Sequence, residues 1–369
     1  MEVERQEISR HNQALNTEET MNKSLNLKRS LLLLNCALLV LGNCGGPLLI
    51  RLYFLHGGKR IWFSSWLETA GWPILLLPLL FSYSYRRSQD QGEERGSTRL
   101  FLIKPRLFAA SAILGIITGL DDYLYAYGLS RLPVSTSALI ASTQLIFTAI
   151  FAFFLVRQTF TSYSINSIVM LTIGALVMAL HTGSDRPSNE SNTQYYTGFF
   201  MTIGASALYG LVLPLVELTY KKSNQLITYS LVIEMQLVIS IFATAFCSLG
   251  MLVNNDFKSI PKDASEYEIG EAKYYLVIVW SAILWQLFFL GLVGVIFCGS
   301  SMLGGIIIAA VIPVTEILAV IFCREKFKAE KGISLALCLW GFTSYFYGEI
   351  KGPSKKNSET PQPDTTPYV

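Results

Sequence analysis

The sequence predicts an all-α membrane protein with ten transmembrane helices, arranged as two inverted repeats of five helices each. Three observations predict this fold class. Hydrophobic residues make up 51% of the 369 residues and charged residues only 15%, whereas about 25% of the residues of a soluble domain are charged. Ten stretches of the chain are apolar over about 20 residues, the length that spans a hydrocarbon core. Finally, landmark residues of the first half recur in order in the second half.

The predicted spans follow one another along almost the whole chain. In order they cover residues 27–52, 61–84, 105–128, 134–156, 163–182, 196–220, 225–250, 273–297, 300–322 and 332–349. The segments outside them, 1–26 and 351–369, are polar and lack an apolar core, so they are predicted to be disordered tails. The first repeat then covers residues 27–182 and the second covers 196–350.

The distribution of Lys and Arg predicts the orientation in the membrane. The segments on the side of the N-terminus, including the loop at residues 85–106, carry more of these residues than the opposite loops. Because cytoplasmic loops are enriched in positive charge, both termini are expected to be cytosolic. The net charge of +3 is too small and too dispersed to indicate nucleic-acid binding.

An internal repeat appears when the chain is shifted against itself by 167 positions. The aligned pairs are Pro47 with Pro214, Thr148 with Thr315 and Arg157 with Arg324, while Glu68 meets Glu234 one residue out of register. Each half contains five predicted spans, and because five is odd, the two halves enter the membrane with opposite sense. Inverted repeats of this kind are typical of secondary transporters, which bind substrate near the midplane at interrupted helices.

The paired prolines predict such interruptions. Proline lacks an N–H and clashes with the carbonyl four residues earlier, so Pro47 frees the carbonyl of Asn43 and Pro214 frees that of Gly210. A freed carbonyl at membrane depth needs protein, water or ligand as its partner. Asn43 is therefore a candidate substrate-binding residue. The alternative is a kink to which neighbouring helices adjust.

Glu68 is the clearest charged residue at membrane depth. An ionised group at the bilayer centre costs at least about 2.5–3.5 kcal/mol, so such residues usually face a cavity or a partner. In a continuous helix Ser64, Ser65 and Trp72 would share the face of Glu68, which predicts a seat for a flat polar ligand. Glu68 is predicted to bind substrate, the coupled proton, or both. The alternative is a structural carboxylate held by a hydroxyl or a basic neighbour.

Two adjacent acids, Asp121 and Asp122, lie in the third predicted span. A stripe of small residues at helical spacing, including Gly115 and Gly119, shares the face of Asp122, which places Asp122 toward the packed bundle. We therefore predict Asp122 as a proton site, the alternative being a capping or packing role. An intramembrane enzyme that uses the two acids as a pair is disfavoured, because adjacent helical residues are splayed by about 100°.

Other polar and aromatic residues within the spans are candidate substrate-binding residues. They are Thr143, Gln144, Glu234, Trp285, Gln286 and Glu316. A carboxamide presents a donor and an acceptor together, which matches an adenine edge. The alternative for each Gln is an interhelical hydrogen bond worth under about 1 kcal/mol. Glu217, four residues before Lys221, is instead predicted to form a surface ion pair.

Four long strings of the sequence resemble the plant purine permeases, a branch of the drug/metabolite transporter superfamily. The strings are "GGPLLIRLYFLHGGKRIWFSSWLETAGWP", "GLDDYLYAYGLSRLPVSTSALIASTQLIFTAIFAFFLV", "LYGLVLPLVELTY" and "PVTEILAVIFCREKFKAEKGISLALCLWGFTSYFYGEIK". The resemblance covers residues 31–351, and Arg131 replaces the aromatic residue expected in the family pattern. It implies the ten-helix drug/metabolite transporter fold and proton-coupled uptake of adenine, related purines and cytokinins. The substrate pocket that it implies draws on Glu68, Trp72, Asp122, Gln144, Glu234, Trp285 and Glu316.

The resulting hypothesis is a proton-coupled secondary transporter that imports purines or cytokinins by alternating access. Trp72 and Trp285 would stack on the purine, and Glu68 or Asp122 would carry the proton. Its partners are the substrate, protons and the lipid bilayer, and the expected location is the plasma membrane. We expect no enzymatic activity, cofactor or metal. Two alternatives stay open: a transporter of another small heteroaromatic, such as an alkaloid or a vitamin B6-like compound, and a receptor that binds the same ligands without moving them.

Overall fold

A computed structural model describes residues 2–89, 101–131, 143–180, 192–323 and 329–356, and all regular elements within these ranges are helical. In chain order they are α1 Glu2–Leu55, α2 Ile61–Thr69, a 3₁₀ turn at Trp72–Leu75, α3 Leu76–Gln89, α4 Pro105–Arg131, α5 Gln144–Phe151 with a π-helical turn at Ala152–Val156, α6 Ser162–Leu180, α7 Asn192–Lys221, α8 Tyr229–Val253, α9 Asp256–Ser265, α10 Glu271–Cys298, α11 Ser301–Cys323 and α12 Ala329–Lys356.

Five helical segments of the described chain are long and apolar enough to cross a membrane. They are Leu25–Phe54, Pro105–Gly128, Tyr196–Lys221, Tyr229–Val253 and Glu271–Cys298. They lie on α1, α4, α7, α8 and α10 and agree with five of the ten predicted spans. The full number of ten spans stays a prediction.

The N-terminal segment differs from the prediction. Residues 1–26 were expected to form a disordered tail, but α1 begins at Glu2 and continues without a break to Leu55. Residues 2–26 contain neither Gly nor Pro, the two residues that most disfavour a helix interior, so the helix of the first span can extend backwards through them. At the other end, α12 continues to Lys356, and residues 357–369 of the predicted C-terminal tail lie outside the described residues.

The second predicted span, residues 61–84, is broken in the structure. Helix α2 ends at Thr69, and a 3₁₀ turn with Pro73 near its start leads into α3. By contrast, α1 and α7 continue through Pro47 and Pro214. The prediction that these two prolines interrupt their helices was therefore wrong, and the interruption occurs near Pro73 instead.

The long helices pack in a defined set of pairs. Helix α1 contacts α10 and α11, α7 contacts α4 and α5, α4 also contacts α8, and α6 contacts α12. The contact between α1 and α10 is close because Gly42 has no side chain: a Cβ atom there would lie 2.4 Å from the backbone nitrogen of Phe288. Small residues at helix interfaces allow backbones to approach in this way.

Candidate functional site

Three buried carboxyl groups meet between α2 and α4. Glu68 is 2% exposed, Asp121 is 5% exposed and Asp122 is 4% exposed, and we call these three residues the acid cluster. The side chains of Glu68 and Asp122 lie close enough to interact, while one oxygen of Asp122 has no hydrogen-bond partner among the described residues. An ionised carboxylate can only accept a hydrogen bond, so a hydrogen bond between the two groups requires a proton on one of them.

Small residues and hydroxyls bring α2, α4 and α8 together around the acid cluster. The Ser65 hydroxyl lies 3.3 Å from the backbone carbonyl oxygen of Asp122, which ties α2 to α4. Two helical turns before Asp122, a Cβ atom at Gly115 would lie 2.4 Å from the carbonyl oxygen of Ile239 on α8. The predicted stripe of small residues on α4 therefore does face a tightly packed neighbour.

Two tyrosines next to the acid cluster were missed by the sequence analysis. Tyr125 interacts electrostatically with Glu68 and Asp121, and Tyr209 of α7 interacts with all three acids. The Tyr209 hydroxyl is buried without a hydrogen-bond partner among the described residues. A signal for Tyr125 was present, because it follows Asp121 by four residues, but nothing in the local sequence of Tyr209 points to an acid on another helix.

Tyr209 also connects the acid cluster to a group of aromatic rings on α10. Its ring stacks on Phe288 with centroids 6.4 Å apart and planes 20° apart. Phe288 in turn meets the predicted residue Trp285 edge to face at 5.4 Å. The Trp285 ring lies on Gly46 of α1, where a Cβ atom would be 2.9 Å from the indole. The Trp285 indole N–H has no acceptor within the described ranges and is buried.

A chain of buried polar side chains links α8 to α10. The Gln236 amide donates to the Ser240 hydroxyl at 3.0 Å, and that hydroxyl donates to the Gln286 side-chain oxygen at 3.2 Å. The amide nitrogen of Gln286 is left without a partner in the described part of the chain. The predicted carboxamide of Gln286 thus has its acceptor atom engaged and its N–H donors available for a ligand.

Glu234 and Trp72 do not join the acid cluster. The Glu234 carboxylate accepts hydrogen bonds from the backbone N–H groups of Leu102 at 2.7 Å and Ile103 at 2.9 Å, so it anchors the chain that enters α4. Helix α2 ends at Thr69, before Trp72. Contrary to the prediction, Trp72 and Glu68 therefore do not share a helix face. It packs instead in a separate cluster with Tyr229 of α8.

The remaining predicted residues lie on other helices. The Asn43 amide donates to the carbonyl of Ile308 at 3.1 Å and joins α1 to α11. Thr143 and Gln144 stand at the start of α5, and no described contact brings either to the acid cluster. Glu316 is within α11, but its side chain lies outside the described residues.

Glu217 differs from its predicted role. The ion pair with Lys221 is present at 2.8 Å, but the Glu217 side chain is buried, and its second oxygen accepts a hydrogen bond from the backbone N–H of Ser301 at 2.7 Å. Glu217 therefore stabilises the start of α11, because the free N–H groups and the helix dipole at a helix N-terminus favour a negative charge.

Comparison with known proteins decides the family. A family model described as purine nucleobase transmembrane transport matches residues 30–355. The chain belongs to the purine permease family. Purine permease 3 of Arabidopsis thaliana is 55% identical, over 89% of this chain and 93% of the relative. Purine permease 2 of the same plant is 50% identical, over 94% of this chain and 99% of the relative.

The family and the structure together identify an integral membrane protein. The purine permease family is one of transporters rather than enzymes, and five helical segments of this member are long and apolar enough to span a bilayer. A solved crystal structure that is 15% identical has a TM-score of 0.59 and covers 85% of this chain and 97% of its own. At that identity the likeness concerns the fold alone.

Proposed function

We propose that this purine permease imports purine bases such as adenine, and purine derivatives such as cytokinins, together with protons by alternating access. The observation that carries the proposal is that the buried carboxyls of Glu68 and Asp122 lie close enough to share a proton. Two such groups in one buried site hold a single proton most readily, because a second negative charge repels the first. This pair can bind a proton on one side of the membrane and release it on the other.

The substrate is proposed to bind between the acid cluster and the rings of α10. Trp285 and Phe288 offer aromatic surface, and stacking of a base on an aromatic ring is worth about 1–3 kcal/mol. The free N–H groups of Gln286 suit the unprotonated ring nitrogens of a purine, which accept hydrogen bonds. Tyr209 contacts both groups, so it provides a route by which substrate and proton influence each other.

The positions of the repeated residues support ten spans in two inverted repeats. Pro47 and Pro214 lie within α1 and α7, Thr148 and Thr315 within α5 and α11, and Gly174 and Gly341 within α6 and α12. The two members of each pair are 167 residues apart.

The packing supports the same relation between the halves. At this offset α1 corresponds to α7, α4 to α10 and α5 to α11. Helix α1 of the first half contacts α10 and α11 of the second, while α7 of the second half contacts α4 and α5 of the first. A pseudo-two-fold axis would exchange these two sets of contacts. In transporters with such repeats, one bundle rocks against the other around a central site.

The proposed location is the plasma membrane, with both termini in the cytosol. The supporting observation is the excess of Lys and Arg on the side of the N-terminus, since cytoplasmic loops carry this excess. The acid cluster would then take up its proton from the more acidic exterior and release it to the cytosol.

The proposal is tested with purified protein in liposomes and radiolabelled adenine. We expect accumulation above equilibrium when the side from which the substrate enters is made acidic, and competition by cytokinins. Adenine binding without accumulation would indicate a receptor. Absence of adenine accumulation, together with accumulation of a labelled alkaloid or vitamin B6-like compound, would indicate a different substrate. Equal uptake with and without the pH gradient would reject proton coupling.

A further inference from the structure

A cleft of about 410 Å³ opens where α2 begins and α4 and α8 end. Its lining combines aromatic side chains, Trp62, Tyr123 and Tyr127, with the polar side chains of Lys59, Asn254 and Asp256. Pockets that bind small molecules have volumes of about 300–1,000 Å³ and a mainly apolar or aromatic lining with a few polar groups. The cleft thus has the size of a small-molecule site with a lining about as polar as apolar, and none of its residues belongs to the acid cluster.

The aromatic residues of the cleft form a continuous surface. The rings of Trp62 and Tyr123 stack with centroids 3.9 Å apart and planes 19° apart, and the Tyr127 ring follows at 6.2 Å from Tyr123. On its other side Trp62 lies flat on Gly250 of α8, where a Cβ atom would be 2.1 Å from the indole. Because both faces of Trp62 are covered, Tyr127 at the end of this row is the ring that can receive a flat ligand.

The charges around the cleft are positive on balance. The Arg60 guanidinium donates to Asp256 at 3.3 Å and to Asp263 at 3.2 Å, which fixes the wall that α9 contributes. Burial raises the pKa of the Asp256 carboxyl, and Arg60 opposes this shift. Lys59 lies in the lining, and the Arg131 guanidinium lies 5.9 Å from the centre of the Tyr127 ring. Three cations and two acids leave one positive charge, so the cleft disfavours a cationic ligand.

The cleft adjoins the acid cluster through the chain itself. Tyr123 directly follows Asp122 in α4. In α2, Trp62 lies one helical turn before Ser65, which contacts the Asp122 carbonyl. From Trp62 to Glu68 the rise along the helix is about 9 Å. The stacked pair of Trp62 and Tyr123 therefore lies between the cleft and the residues that carry the acid cluster.

We infer that this cleft is an outer binding site for a flat heteroaromatic base that carries no positive charge, which the protein holds there before the base reaches the acid cluster. The inference rests on the proposed function. Tyr127 provides the stacking surface, and the carboxamide of Asn254, which presents a donor and an acceptor together, pairs with the ring edge as Asn does with adenine.

The test measures adenine uptake by Asn254→Ala and Tyr127→Ala in liposomes. Loss of a base-stacking contact weakens binding roughly fivefold or more, so we expect KM to rise by about that factor for Tyr127→Ala. The accumulation at equilibrium should not change, because it depends on proton coupling and not on an outer site. Lys262→Gln changes an exposed residue of α9 outside the cleft lining, so this control variant should keep the wild-type KM.

The outcomes separate this inference from the proposed function. An unchanged KM in both Asn254→Ala and Tyr127→Ala overturns the outer site, as does a changed accumulation with unchanged KM. Because Asn254 is exposed at the end of α8, its variant remains informative even if Tyr127→Ala fails to fold. An equal rise of KM in Lys262→Gln would show that the effect is not specific to the cleft and would also overturn the outer site. No accumulation by the wild-type protein would reject the proposed function itself.

Discussion

Replacement of Glu68 by Gln tests the proton site with a predictable magnitude. If the Glu68 and Asp122 pair exchanges one proton per substrate, a pH difference of one unit supplies about 1.4 kcal/mol, enough for an about tenfold concentration ratio. The amide of Glu68→Gln donates permanently to Asp122 and so mimics the protonated state. We expect the variant to bind and equilibrate adenine but to accumulate it only to a ratio of about one under the same gradient.

The assay uses liposomes with equal potassium on both sides and an ionophore that holds the membrane potential at zero, so that only the pH gradient drives uptake. Glu234→Gln is the matched control, because it makes the same chemical change in another buried acid. Glu234 accepts two backbone N–H bonds and lies outside the acid cluster. We expect this control to lose thermal stability but to keep tenfold accumulation. Wild-type accumulation by Glu68→Gln, or equal loss in both variants, would refute the reasoning.

Three further predictions follow from packing and hydrogen bonding. Gly250→Ala pushes a methyl group into the Trp62 ring, and overpacking of about 1–3 kcal/mol should lower the melting temperature, whereas an unchanged value contradicts the contact. Ser240→Ala frees the Gln286 amide to rotate, so discrimination between adenine and its deaza analogues should fall in competition assays. Glu217→Gln weakens a charged hydrogen bond worth about 1.5–3 kcal/mol, which should reduce thermal stability while KM stays at the wild-type value.

The sequence predicted the features that depend on composition and on local spacing. The five long apolar helical segments follow from hydropathy alone, and the stripe that includes Gly115 correctly indicated a packed face of α4. The burial of Asp122 followed from the same stripe. Glu68 was singled out because an acid in an apolar run needs a physical reason, and it does meet a polar partner in the structure.

Features that depend on contacts between distant segments could not be predicted. The prediction that Glu68 and Trp72 share a helix face assumed a continuous helix, but the chain turns at Gly71. Because Gly71 has no side chain, its backbone can contact Ala282 of α10. Tyr209 reaches the acid cluster from a helix more than eighty residues away along the chain. Periodicity describes one helix at a time and contains no information on which neighbour a face will meet.

The different surroundings of Glu68 and Glu234 bear on the stoichiometry of transport. The two acids occupy nearly equivalent positions in the two halves of the sequence, yet the short helix α2 places Glu68 against Asp122, while the unbroken α8 presents Glu234 to two backbone N–H groups. Its two hydrogen bonds hold the Glu234 carboxyl in place as an anchor for the chain that enters α4, whereas Glu68 lies beside a second carboxyl with which it can share a proton. Under the proposed function, the proton therefore exchanges at the acid cluster of the first half. One exchangeable site predicts one proton per substrate, the ratio on which the tenfold accumulation depends.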